Sequence, residues 1–600
     1  MTRSERSTWM ARFAYLAALI LLAGVDGLRA FDDYLPGPDS QVQPGVPKGQ
    51  LFSFVFSQSK IYPGTVRTCW VYIPAQYRPE QPACLYVCQD AVAWRAPVVF
   101  DNLIARQEMP VTIGVFVSPG IVGPKPASGL ALGQYNRVYE YSGMDDTYAR
   151  FLLEELLPEV ASRKTPDGRP IRISPAANDH AIAGSSAGGI CAFNAAWERP
   201  DAFARVFSSV GSFNLGGGEV FPILIRKFEP KPLRIFLQDG SRDTGVFAGS
   251  WWMANQAVEE SLRFSGYEVN HAWGDGGHTT KQATAVFPDA MRWLWKDWPQ
   301  PVKTGETRNA LLALALRPGE GWQRLAGDYG SLRGAASNRR GEVFFGDAGE
   351  NRIYRAAPDG SVAVFATDTG PVSDLCFGSD GRLYTVSTES GQVRAYAADG
   401  SSTLMAAGIP GNGIAIAHNG NVYVTHPGNG AGGMRSDLWL IKPDGTRRVL
   451  DCDGPIDTGG IVLSPAQNLL FVADRREPWI YRYLVQPDGS LRYGQRYLHL
   501  HRSGGDEPVS QTGMRADRDG RLYVATRLGI QIGGEASLVN AIITTPNRKV
   551  TDVCFGGAGF DTLFALCGDT VFQRRLNLRG ANGWDAPNEP GALKASPIPK

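Results

Sequence analysis

Gly184-Ser185-Ser186-Ala187-Gly188-Gly189 is the stretch of this chain with the plainest chemistry. It follows an apolar run, Ala181-Ile182-Ala183, and leads into a helix-like run from Ile190 to Trp197. A serine carried on a sharp strand-to-helix turn needs neighbours without bulk. Gly184 and Gly188 therefore let the backbone fold back tightly, and Ser186 is expected at the tip of a nucleophile elbow with its hydroxyl clear of the sheet. The same turn aims the Ala187 amide, at the helix N-terminus, toward an oxyanion formed beside the serine. With 70 glycines in the chain such a motif also arises by chance, so its surroundings must carry the reading.

A serine on such a turn is followed in chain order by an acid and then a histidine, each at the end of a later strand. Leu233 to Leu237 is an apolar strand running into Gln238-Asp239-Gly240-Ser241-Arg242-Asp243, and Glu268 to Trp273 is another, ending in Gly274-Asp275-Gly276-Gly277-His278. Of the seven histidines in the chain, His180, His271 and His278 lie in this half. The first two fall within or beside strands, where a structural role is expected; His278 follows a glycine-rich loop from which an imidazole reaches a serine. Asp239 and Asp243 both follow the right strand, and Asp275 is near the histidine. Asp243 is preferred, because residues at the very end of a strand often serve the turn itself. In that assignment Ser186 attacks an acyl carbonyl, His278 takes and returns the proton, Asp243 holds the imidazole tautomer, and water hydrolyses the acyl-enzyme. A second oxyanion donor is expected after an earlier strand: Cys84-Leu85-Tyr86-Val87-Cys88 precedes Gln89-Asp90-Ala91, which makes the Gln89 amide the candidate, although Gln89-Asp90 suits a plain turn equally well. Trp94, Trp251 and Trp252 are candidates for an aromatic or sugar-binding cleft, against the alternative that tryptophans at helix starts pack cores. Arg137 has the charge to meet a substrate carboxylate, but a structural pair with Glu140 is preferred.

The scaffold beneath these residues belongs to a chain of 600 residues, too long for one core, so at least two domains are expected. Sixty basic and 59 acidic residues nearly cancel, and 43% of the residues are hydrophobic. That balance gives no electrostatic case for nucleic acid or an anionic membrane as partner. Arg3, Arg6 and Arg12, then an apolar run from Phe13 to Ala23, then small residues before Phe31, read as a secretory signal over 1–30, cleaved near Gly27 or Ala30; the run is short for a membrane span. A periplasmic or secreted protein without a membrane partner is expected once the signal is removed. The eight cysteines have no framework spacing and no Cys-x-x-Cys, so they read as buried small hydrophobes, and neither metal ligation nor another cofactor is expected.

From about Leu51 to Trp298, strand-like and helix-like runs alternate, as in an α/β layered sheet. Asp145 to Arg163 is the clearest helix, with Tyr148, Phe151, Leu152, Leu156 and Val160 at helical spacing behind an Asp145 cap. Trp298-Pro299-Gln300-Pro301 closes this region and 301–320 reads as a linker. The pattern of Gly341-Glu342-Val343-Phe344-Phe345 then recurs at Gly381, Gly420 and Gly520, with looser copies at Asn468-Leu469-Leu470-Phe471-Val472 and Asp561-Thr562-Leu563-Phe564-Ala565. Copies at roughly 40 to 50 residues with Asp-Gly turns predict an all-β propeller of six blades. The expected organisation is a signal over 1–30, an α/β/α sandwich with a mostly parallel sheet over 31–300, a linker, the propeller over 321–580, and a Pro-rich tail over 581–600.

The first half resembles the α/β-hydrolase esterases related to enterochelin esterase and to feruloyl esterases, through Val87-Cys88-Gln89-Asp90, Asn136 to Tyr141, Gly184 to Gly189, Gly240-Ser241-Arg242-Asp243 and Gly276-Gly277-His278. The resemblance implies Ser186 as nucleophile, Asp243 as acid and His278 as base. Ala91 stands where relatives often carry glycine. The implied activity is a bacterial serine carboxylester hydrolase acting on a small-molecule or carbohydrate-linked ester: feruloyl, acetyl-sugar or siderophore-type. The second half, from Gly321 to Leu578, resembles the gluconolactonase and regucalcin propellers through Thr512-Gly513-Met514, Gly520 to Thr526 and Thr551 to Gly557. That family holds a divalent metal with a glutamate, an asparagine and an aspartate, and here Arg333, Gly459 and Thr512 align with them. Replacing three oxygen ligands and adding a guanidinium removes the charge a hard cation needs, so the propeller is expected to be an accessory module without metal. A shift of register would bring Asn412, Asp457 or Asp517 into play. The alternatives are a metal-dependent lactonase on the propeller and a non-enzymatic periplasmic binding protein.

Overall fold

The computed structural model describes residues 34–123, 135–427, 436–450, 454–502 and 513–588. The signal at 1–30, Thr512 and most of the tail lie outside them. Among the described residues no helix is long and apolar enough to cross a membrane. The chain forms two compact units: one of residues 1–219, 232–259 and 268–303, the other of 220–231, 260–267 and 304–600.

The first unit is built on a nine-stranded sheet: β1 (Gln50–Phe56), β2 (Thr65–Ile73), β3 (Cys84–Gln89), β4 (Thr112–Val117), β5 (Ile121–Val122), β6 (His180–Ser185), β7 (Arg205–Ser209), β8 (Arg234–Gly240) and, after a hairpin of β9 (Gly245–Val246) and β10 (Gly249–Ser250), β11 (Glu268–Gly274). The order is β1-β2-β4-β3-β6-β7-β8-β11, with β5 on β2. From β4 to β11 every pairing is parallel; β1–β2 and β2–β4 are antiparallel. The inner strands β3, β4, β7 and β8 are buried at every position, as expected of parallel strands covered on both faces. Phe100, Phe207, Phe287 and Trp94 fill the layer between the sheet and helices Ala96–Ala105 and Thr280–Trp295. Because β3, β6, β8 and β11 are parallel, their C-terminal ends lie along one edge, and the loops after them carry Asp90, Ser186, Asp243 and His278 to it. The helix expected over Asp145–Arg163 forms as Thr147–Arg150, a π-helical turn Phe151–Leu156 and Leu157–Ser162, with Asp145 Oδ1 accepting from the Thr147 amide at 2.9 Å; its five apolar positions are all buried.

The second unit contains six four-stranded sheets, the six-bladed propeller. Its innermost strands are Leu332–Ser337, Asp374–Phe377, Gly413–Ile416, Thr458–Leu463, Met514–Ala516 and Val550–Gly556; each touches the next and the last touches the first, which closes the ring. One sheet combines Gln323–Ala326 with the three strands from 550 to 575, so the two ends of the propeller sequence share a blade. The repeated motif falls on the second strand of each blade and the turn before it. That turn requires a positive φ, supplied by Gly341, Gly381, Gly420 and Gly520 and, in the two looser copies, by Gln467 (56°) and Phe560 (54°).

Three segments pack in ways that the sequence boundaries do not convey. Residues 220–231 and 260–267 cluster with the propeller rather than with the rest of 31–300. The 301–320 linker is structured: Asn309 Oδ1 caps helix Ala310–Ala315 by accepting from the Leu311 and Leu312 amides at 3.1 Å, and Leu312 is buried with Tyr523, Ile543 and Leu576. The first residues of the tail also pack, since Trp584 is buried and donates from Nε1 to the Ser337 carbonyl at 3.3 Å.

Candidate active site

Ser186 sits between β6 and helix Ala187–Glu198 with φ 57° and ψ −123°, a strained backbone for a residue with a side chain. Its amide donates to the Ser209 carbonyl at 2.9 Å, and its carbonyl accepts from the Ser212 amide at 3.1 Å. The glycine before the serine is sterically required, and the one after it sits in a crowded place. A Cβ on Gly184 would lie 2.1 Å from the Gly188 carbonyl oxygen, and one on Gly188 would lie 2.8 Å from Asp90 Oδ2 and 3.2 Å from Gln89 Cβ. Ala187 opens the helix, where first-turn amides have no intrahelical acceptor.

His278 links the serine to an acid. Its Nε2 is 2.8 Å from Ser186 Oγ and its Nδ1 is 2.6 Å from Asp243 Oδ1. The three residues follow the ends of three strands, with Ser186 and Asp243 lying 92 and 35 residues before His278 in the chain. Asp243 Oδ1 also accepts from the Thr244 amide. Burial pushes the Asp243 carboxyl up, but hydrogen bonds to His278, Asp239 and the Thr244 amide outweigh it and hold it below its ordinary value. Of the competing carboxylates, Asp275 is engaged by Tyr34 Oη at 2.7 Å and Arg242 at 3.1 Å, and Asp239 lies buried behind Asp243, with Oδ1 on the Gly240 amide and Oδ2 on Asn255 Nδ2. His180 is buried between the carbonyls of Ala202 and Ser174; His271 meets Glu259 at 2.5 Å and stacks on Trp273.

Gln89 ends β3 directly against the elbow, buried to 1% exposure, and the following Asp90 turns with φ 77°. The Asp90 amide faces Tyr141 Oη at 3.2 Å. Arg137 does not pair with Glu140. It makes a two-pronged bond to Asp90, at 2.6 and 2.9 Å, while Glu140 pairs with Arg67, both side chains fully buried. Burial of Arg67 decides this, because a fully desolvated guanidinium needs the nearest carboxylate.

The tryptophans separate. Trp94 is a core residue, 4% exposed and packed on Phe207 and Phe287, because its ring fills the gap under helix Thr280–Trp295. Trp252 belongs to a different cluster, edge-on to Trp273 at 5.4 Å. Trp251 is buried but lies at the site: it donates from Nε1 to Ser212 Oγ at 3.0 Å and its ring meets His278 at 5.5 Å. Ser212 Oγ is in turn 3.3 Å from Ser186 Oγ. Sequence reading missed Ser212; its signal is a place in the loop after β7, at the same sheet edge.

In the propeller, the two described residues aligned with metal ligands, Arg333 and Gly459, offer no side-chain oxygen, and Thr512 lies outside the described residues. Arg333 is exposed, and Gly459 is buried with its carbonyl accepting from Thr425 Oγ1 at 2.9 Å. Asn412 is occupied by Thr425 and the Thr458 carbonyl, Asp517 by Arg521 at 3.0 Å, and Asp457 is 3.9 Å from both Arg475 and Arg476. Among the described residues no group of three or more His, Cys, Asp or Glu is arranged to hold a metal. The central channel instead carries Arg515, beside Asp374 at 3.5 Å and donating to the carbonyls of Ala335 and Leu375. Asp552 acts on the same guanidinium and accepts from the Ala335 amide at 2.9 Å. Burial pushes both aspartates up, and Arg515 opposes it. This cluster had a sequence signal: Asp374-Leu375-Cys376-Phe377-Gly378 and Asp552-Val553-Cys554-Phe555-Gly556 are matching repeats, and Arg515 occupies the place of Cys376 and Cys554.

Residues 61–298 match the family described as putative esterase, and residues 334–567 match the SMP-30/gluconolactonase/LRE-like region. The chain therefore joins an esterase domain, that of a carboxylic ester hydrolase, to a gluconolactonase-like six-bladed propeller. Similar solved structures include a gluconolactonase from Xanthomonas campestris (19% identity, 44% of this chain and 93% of that one, TM-score 0.40), the enterobactin esterase of Shigella flexneri in the presence of 2,3-dihydroxy-N-benzoyl-glycine (22%, 44% and 62%, 0.32) and a ferulic acid esterase (17%, 41% and 98%, 0.33). No curated protein matches the chain.

Proposed function

We propose that the chain is a serine carboxylester hydrolase working through Ser186, His278 and Asp243. The observation that carries this reading is the unbroken hydrogen-bonded series from Ser186 Oγ through the imidazole to the Asp243 carboxylate, at 2.8 and 2.6 Å. His278 Nε2 removes the serine proton as Oγ adds to the acyl carbonyl. The Ala187 amide, with Gln89 as second donor, receives the negative charge on the carbonyl oxygen. The tetrahedral adduct collapses, the leaving alkoxide takes the proton from His278, and an acyl-serine remains. Water, deprotonated by the same nitrogen, adds to the acyl-serine and releases the acid and the serine hydroxyl. Asp243 keeps the Nδ1–H tautomer in place and stabilises the imidazolium.

The substrate is a feruloyl, acetyl-sugar or siderophore-type ester, the propeller is a non-catalytic accessory module, and the leader at 1–30 directs a bacterial chain to the periplasm or outside. The test is turnover of p-nitrophenyl, feruloyl and acetyl-sugar esters by wild type and S186A, each with and without chelator, together with labelling by a serine-directed fluorophosphonate. Chelator-insensitive turnover that S186A abolishes is the expected result. Turnover that survives S186A and is lost with chelator assigns the activity to another site.

A further inference from the structure

We infer that Asp239 stands behind the triad as a neutral carboxylic acid and donates a hydrogen bond to Asp243 Oδ2, so that the two carboxyl groups together hold one proton and one negative charge. The inference rests on the reading of Ser186, His278 and Asp243 as the triad, and gives that site a fourth, positioning residue.

Asp243 spends one oxygen on its known partners: Oδ1 accepts from His278 Nδ1 and from the Thr244 amide. Its other oxygen, Oδ2, is buried, and no conventional donor reaches it. The side chain has no solvent exposure, so bulk water does not supply one. A carboxylate oxygen left bare in such a place is costly, and the group within hydrogen-bond reach of Asp243 is the Asp239 carboxyl. Asp239 is itself fully buried. It is held by neutral donors, the Gly240 amide at 2.7 Å and Asn255 Nδ2 at 2.8 Å, and Asn255 is fixed in turn by the carbonyls of Gly211 and Trp251. The titratable group acting on Asp239 is Asp243, and those acting on Asp243 are Asp239 and His278. Helix Trp251–Phe264 contributes the neutral Asn255, helix Thr280–Trp295 contributes Gln282, which bonds the Asp239 carbonyl at 3.1 Å, and Arg242 is paired with Asp275. Two carboxyl groups in contact and out of water do not both ionise; they share a proton. Burial first, and then the contact with Asp243, push Asp239 well above the ordinary carboxylate range, while Asp243, bonded to the imidazole, stays ionised. Loss of the shared proton at alkaline pH places two like charges in contact and drives Asp243 off the imidazole.

The test is the pH profile of kcat/KM for wild type, D239N and D239V on one chromogenic ester, with unfolding midpoints and circular dichroism for each. The wild-type profile is expected to fall about tenfold per pH unit on an alkaline limb. D239V, which has no donor, loses activity mainly in kcat; D239N, whose amide donates permanently, recovers at least about tenfold of that loss and has no alkaline limb. An infrared carbonyl band of a protonated carboxyl at neutral pH, absent in D239N, reports the proton without reference to turnover. An unchanged alkaline limb in D239N, D239N no better than D239V, or absence of the band overturns the inference. Fluorophosphonate labelling separates the two readings: if wild type is not labelled at Ser186, the triad itself has failed, whereas the band still reports the state of Asp239.

Discussion

The two units treat buried charge in opposite ways. At the edge of the esterase sheet, polar groups converge but are left with capacity to spare: Ser186 is on a strained turn, His278 is exposed, and the Ala187 amide opens a helix. In the propeller channel, Arg515, Asp374 and Asp552 satisfy one another and the surrounding carbonyls and amides. Convergent polar groups with an open side are equipped to meet a substrate, while groups that close on themselves hold strands together. The contrast is the support for proposing the propeller, which is similar to gluconolactonases in sequence, as an accessory module.

Three substitutions put this contrast to the test. The largest expected effect is S186A, which should lower kcat by about 10³- to 10⁶-fold with an unchanged unfolding midpoint; ordinary turnover in purified S186A would remove the esterase half of the comparison. R515M comes next. It leaves two buried carboxylates without their cation and should cost about 3–5 kcal/mol of propeller stability, seen as a lower unfolding midpoint, with partial recovery when D374N and D552N are added. Wild-type stability in R515M would mean that the channel charges are not closed on one another. The smallest effect is expected for W251F, which keeps an aromatic ring against His278 but loses the bond to Ser212; loss of about 1 kcal/mol should appear as a roughly fivefold drop in kcat on an aryl ester. No change there would leave Ser212 without a part in orienting the serine.

Much of the site was readable in the sequence because its requirements are local. An elbow needs small residues at fixed offsets, and the Gly184 and Gly188 contacts show why: a methyl at either would meet backbone or side-chain atoms of the same turn and its neighbour loop. The blades were readable for the same reason, since each repeats one turn with a positive φ, and the two looser copies are those in which Gln467 and Phe560 take the glycine's place. Arg137 and the tryptophans were not readable. Glu140 is the carboxylate beside Arg137 in the chain, but the partner it takes, Asp90, is 47 residues away and is brought close by the sheet. Trp94 and Trp251 both sit near helix starts, and only the packing of distant rings makes the first a core residue and the second a neighbour of His278.

Periodicity and backbone geometry within a few residues were enough to specify the parallel α/β layer and the six blades, and to point to a serine, an aspartate and a histidine in that chain order as the candidate site. The folded arrangement was needed to establish that Asp243 rather than Asp239 faces the imidazole, that Trp94 is core while Trp251 touches the site, and that an arginine occupies the propeller channel. Those outcomes depend on which side chains meet across strands far apart in the chain, and burial there turns small differences in position into large differences in the cost of a charge.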